Sequence, residues 1–163
     1  MSAKRKITWA IIIVLIVIQF IRPSKNKAET PSVNDISHKY SQTPYIQKIL
    51  QTACLDCHSN NTHYPWYTNI QPVGWWMQKH VNDGKRHLNF SEFLSYDPKK
   101  ANHKMAEVAE TLDEGSMPLN SYLWIHKDAK LSAEEKDSVI AWAKQVQLEI
   151  QQANPGVNYN NTK

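Results

Sequence analysis

The chain has two cysteines, and both lie in one pentapeptide, Cys54-Leu55-Asp56-Cys57-His58. Three chemistries use a C-x-x-C pair: dithiol redox exchange, half of a zinc site and, with histidine directly behind, covalent attachment of a c-type haem. The offsets favour the last. Thiols three residues apart share one face of a helical turn and reach the two vinyl groups of one porphyrin, while the next residue presents its imidazole to the iron. A zinc site needs four protein ligands, usually from two separated pairs, and no second cysteine pair exists. Dithiol exchange of the thioredoxin type wants the motif after a strand in a βαβ unit, a pattern absent upstream of Cys54. The motif therefore predicts one covalent haem c and its iron, anchored by Cys54 and Cys57, with His58 as proximal ligand.

The sixth iron position has two candidates. Met117 stands in Glu114-Gly-Ser-Met-Pro-Leu-Asn120, between two expected helices. A thioether there completes His/Met ligation and raises the reduction potential; the bland reading is a methionine filling a loop gap. His80 follows Trp76 by one helical turn and is the alternative distal ligand, its bland reading being a hydrogen bond to a propionate or to backbone. Met117 is the preferred ligand. Met77 and Met105 read as packing residues, and His38, His63, His87, His103 and His126 as surface or supporting groups.

The elements that must position these residues read as helices. Thr43-Pro44 forms an N-cap and first-turn pair, and behind it Ile46, Ile49, Leu50, Ala53 and Cys57 recur at helical steps, so the motif should end an amphipathic helix. An aromatic loop follows, then a helix near Gly74–Val81. Asp97-Pro98 opens another, with Ala101, Met105, Val108 and Leu112 on one face and Gly115 as its stop. A closing helix begins at Ser132, where Glu135 completes a capping box, and shows Val139, Ile140, Ala143, Val146 and Ile150 on its apolar face. No repeat and no convincing strand is visible. Five tryptophans beyond residue 60 are expected in the core or against the porphyrin faces.

Charge is unevenly distributed. Six of the 19 basic residues and one of the 15 acidic residues lie in the first 30 positions, leaving 13 against 14 in the remainder. The net charge of +4 thus belongs to the flanks of a hydrophobic run and excludes a nucleic-acid reading. That run, Ile7–Ile21, covers ~22 Å as a helix, short of a ~30 Å hydrocarbon core. With snorkelling flanks and no small-residue cleavage site behind it, it reads as an uncleaved signal anchor. The expected layout is a basic cytoplasmic N-terminus (1–6), a transmembrane anchor (7–21), a polar tether (22–42), a haem domain (43–152) and a flexible tail (153–163). Because thioether attachment takes place outside the bacterial cytoplasm, the expected location is the inner membrane, single-pass, with the domain in the periplasm.

A helical domain with C-x-x-C-H ending its first helix and a Met-Pro in a late loop resembles a small mono-haem cytochrome c. The block from Cys54 to Phe93 resembles more closely the signature of the bacterial haem-binding domain family, through Ser59, Thr62, Pro65-Trp66-Tyr67, Ile70, Pro72, His80-Val81, Gly84 and Leu88-Asn89-Phe90-Ser91. It departs from that signature at Lys85-Arg86 and at Phe93, where the family has tryptophan. The resemblance spans about residues 40–150 and implies haem binding through Cys54, Cys57 and His58, without bringing a defined reaction. The expectation is an all-α, cytochrome c-like electron carrier, not an enzyme, with the membrane and redox proteins as partners and no nucleic acid. The competing class is a haem enzyme of peroxidase type, or a sensor, with an open sixth position and His80 or His87 as acid–base group.

Overall fold

The computed structural model describes residues 2–159. Seven α-helices follow in order: α1 (Ala3–Val17), α2 (Pro44–Ala53), α3 (Leu55–His58), α4 (Val73–His87), α5 (Pro98–Asp113), α6 (Asn120–Leu123) and α7 (Ala133–Ala153). Short 3-10 turns link them, among them Trp66–Asn69, Phe90–Ser95 and Lys127–Ala129. Among the described residues the only β feature is an isolated bridge, Lys27 with Asn61.

Local chemistry explains where the main helices begin and end. The Thr43 hydroxyl accepts from the Ile46 amide, with Pro44 in the first turn of α2. Asp97 does the same for the Lys100 amide at the start of α5. At its far end Gly115 adopts φ 71°, and the amides of Gly115 and Ser116 bond the carbonyls of Leu112 and Thr111. This closes α5 with the paired bonds of a Schellman motif, which needs a residue at ease in the left-handed region. Ser132 and Glu135 make both bonds of a capping box on α7.

The core lies where α5 runs along α7. Ala101, Met105, Ala109 and Leu112 meet Val139, Trp142, Ala143, Val146 and Ile150, and α2 adds Ile46, Ile49 and Leu50. Phe90, Phe93 and Tyr40 close one end, with Phe93 edge-on to Tyr40 at 5.9 Å. Phe93, where the family signature has tryptophan, is fully enclosed.

Several expectations are corrected. No helix of the described residues is long and apolar enough to cross a membrane. The continuous α1 ends at Val17, where the chain tightens into a 3-10 turn at Ile18–Phe20, so the apolar run never becomes one helix of spanning length. The transmembrane anchor at 7–21 and the single-pass inner-membrane location therefore do not hold. Residues 22–42, read as a tether, are built into the domain: Ile36 and Tyr40 are buried, and Asn26 bonds Ser59 O and Thr62 Oγ1. The tail 153–163 lies partly outside the described residues; within them, Tyr159 turns back against the core. Of the tryptophans only Trp142 is buried, its indole N–H donating to Ser41 O, whereas Trp66 is 75% exposed and Trp124 69%.

Candidate functional site

The expected helix through the motif breaks at Cys54, whose φ −125° and ψ −47° leave the helical region. α2 stops there and the single turn α3 starts afresh, although the Cys54 amide still bonds Leu50 O at 2.9 Å. The turn is gripped from several sides. Ser59 Oγ donates to Leu55 O at 2.7 Å and Thr62 Oγ1 to Asp56 O at 2.6 Å. From the strand-like exit of α4, Asn89 Nδ2 donates to Asn60 Oδ1, and the Asn60 amide donates to Ser91 Oγ. The Ser59, Thr62 and Leu88–Ser91 positions of the signature block are thus the clamps of the C-x-x-C-H turn.

α4, expected near Gly74–Val81, runs on to His87, and the extension carries Gly84 over the motif. A Cβ at Gly84 would stand 2.6 Å from Cys57 O and 3.0 Å from Cys57 Cβ, so only glycine lets α4 approach this closely. The same helix end presents the Leu88 carbonyl to His58, 3.0 Å from Nδ1. A carbonyl only accepts, so Nδ1 carries the proton and Nε2 keeps a lone pair. Burial holds the His58 pKa below its usual value against the raising effect of the carbonyls of Leu88 and Gly84, which favours the neutral ring.

These side chains open onto a cavity of about 650 Å³, within the range of small-molecule sites. One wall is α3 and α4, with Cys54, Cys57, His58, His80 and Gly84. The other is α5 and the loop behind it, with Val108, Thr111, Leu112, Met117, Leu119 and Tyr122. Leu50, Leu88 and Phe90 line it further, and Asp83, Glu107 and Glu110 lie among its polar lining residues. Burial pushes the Cys54 thiol up to about 12, and burial with the Asp56 charge pushes Cys57 up to about 11. Among the described residues no three His, Cys, Asp or Glu side chains gather to hold a bare metal ion.

The cavity fits a haem by the chemistry of its donors: two protonated thiols on one turn, a neutral imidazole with Nε2 unprotonated, a thioether on the opposite wall and apolar surface between. All four expected ligand residues, and the alternative His80, line this one space. His80 has its Nδ1 2.8 Å from Trp76 O and its ring against Trp76 at 4.5 Å. No tryptophan lines the cavity; its aromatic lining is Phe90 and Tyr122 in place of the expected tryptophans.

Sequence reasoning missed Asp56 and Tyr122. The Tyr122 hydroxyl donates to Asp56 Oδ2 at 2.9 Å from 66 residues away, and both residues line the cavity. Burial, then the Asp56 carboxylate, hold the Tyr122 phenol far above its usual range, so it remains a donor. Neither residue carried a local signal.

The sequence model of the haem-binding domain family matches residues 13–145. The chain belongs to that family, and the protein is a haem-binding protein. No match is found among the curated proteins or the solved structures.

Proposed function

We propose that the protein is an electron carrier holding one covalent haem c, attached through Cys54 and Cys57, whose iron His58 and Met117 would hold. The observation that carries the reading is the His58 tautomer: with Nδ1–H given to Leu88 O, Nε2 is left for a metal in a cavity that both thiols and Met117 also line. A haem held there supplies a one-electron iron couple. The chain's own residues do the rest. The Leu88 carbonyl orients the imidazole and strengthens it as a donor. Leu50, Leu88, Phe90 and Leu112 keep the space apolar and limit water. Met117 is preferred over His80 because α4, which carries His80, packs directly on the motif, whereas Met117 comes from the separate loop behind α5, from which it would hold the iron together with His58. A soft thioether favours the ferrous state and raises the potential.

His80 and His87 line the same cavity and support the second reading, a haem enzyme or sensor with an open sixth position. Optical spectra of the purified holoprotein separate the two. The carrier reading expects a low-spin ferric form with a weak near-infrared sulfur-to-iron band, haem that survives acid–acetone extraction, and slow carbon monoxide binding. A high-spin ferric spectrum with immediate carbon monoxide binding would establish the open site instead.

A further inference from the structure

The segment between α5 and α7 supplies Met117 but buries little of itself. Trp124 and Ile125 are 69% and 59% exposed, and Met117, Pro118, Leu119 and Tyr122 are half-buried. Its ends are fixed by the Gly115 turn and by the fully buried Ala129. Between them His126 is bonded by the Tyr67 hydroxyl at 3.1 Å, and the Tyr122 hydroxyl reaches the C-x-x-C-H turn at Asp56 Oδ2, 2.9 Å away, with Thr52 O more distant at 3.4 Å.

Both partners are held for that bond. Asp56 Oδ1 accepts the His63 amide at 2.9 Å, and Asp56 O accepts from Thr62, so the carboxylate is part of the C-x-x-C-H turn. The Tyr122 ring stacks on His126 at 4.0 Å and 13°. His126 Nδ1 donates to Tyr122 O at 3.2 Å, which leaves Nε2 to accept from the Tyr67 hydroxyl at 3.1 Å.

We propose that Asp56 and Tyr122 form a clasp that holds the Met117 loop shut over the cofactor cavity, and are positioning residues that govern access to the sixth iron position. The proposal rests on the reading of a haem in this cavity with Met117 beside the iron. The Tyr122 phenol donates to a carboxylate oxygen at 2.9 Å, and an open loop trades that bond for water. The clasp therefore biases a hinged segment toward closure, from within the motif that carries the proximal ligand.

Rapid mixing of the reduced holoprotein with carbon monoxide tests it, with rates taken per haem. Tyr122→Phe, which removes one oxygen and keeps the stacked ring, should raise the association rate about tenfold, as loss of one hydrogen bond implies. Asp56→Ala should do the same. The double variant should be no faster than the faster single, since one bond can be lost only once. In the ferric Tyr122→Phe protein the sulfur band should weaken. A Tyr122→Phe rate equal to the parent's, or rates that multiply in the double variant, would overturn the clasp. Failure of the Met117 reading shows separately, as a Met117→Ala protein with unchanged spectrum and unchanged carbon monoxide rate.

Discussion

The two walls of the cavity are built differently. On the α3–α4 side, backbone sits on backbone: Gly84 brings α4 against Cys57, the Leu88 carbonyl takes His58, and Asn89 and Ser91 grip Asn60. On the other side α5 is anchored in the core by Met105 and Leu112, while the loop it feeds is held by the Gly115 turn, by Met117 against the core, by buried Ala129 and by the hydroxyls of Tyr122 and Tyr67. On the proposed reading, the first wall would hold the two attachment points and the imidazole, and the second would carry Met117 as an adjustable ligand. Low local stability of this kind is where ligand-controlled motion is usually found.

Variants that break one wall at a time sharpen the contrast. The largest effect belongs to the rigid wall. Cys54→Ala with Cys57→Ala should abolish covalent attachment, so that all haem is lost on acid–acetone extraction, read by the absorbance left with the chain. Haem extracted equally from the parent would remove the covalent assignment.

Next comes the soft wall. Met117→Ala should erase the near-infrared band, lower the midpoint potential and admit carbon monoxide, while the haem stays attached. His80→Ala should leave the band in place. The reverse pattern, band absent from the parent and iron exposed only in the His80 variant, would make His80 the ligand and remove the contrast between the walls.

A subtler break concerns the fit of α4 on the motif. Gly84→Ala places a methyl against Cys57 O at 2.6 Å, where backbone and not a flexible side-chain end must yield. Overpacking of this kind costs about 1–3 kcal/mol, read as a fall in the urea unfolding midpoint at unchanged slope. An unchanged midpoint would mean that the rigid wall relaxes as readily as the soft one.

The smallest expected effect lies away from both walls. Ser132→Ala removes the hydroxyl that accepts the Glu135 amide at the start of α7. It should cost about 1 kcal/mol in stability and leave the haem spectrum untouched. A spectral change would show that α7 and the cavity are coupled through α5.

Much of this protein was legible without a fold. The starts of α2, α5 and α7 follow from Thr43, Asp97 and Ser132, and the stop at Gly115 from its place after the last periodic residue, because caps act over three or four residues of adjacent chain. The signature block around Cys54, Cys57 and His58 identified the haem-binding family. Other features arose only on packing. The break at Cys54, the length of α4 and the demand for glycine at 84 come from two backbones meeting between Cys57 and α4. Burial of Trp142 but not of Trp66 or Trp124 depends on which helix faces find a neighbour, which composition cannot tell. The hydrophobicity of Ile7–Ile21 suggested a span, but hydrophobicity does not set where a helix ends. The Asp56–Tyr122 bond joins positions 66 residues apart. No periodic signal spans that separation, so only the closed tertiary structure brings the motif and the distal loop together.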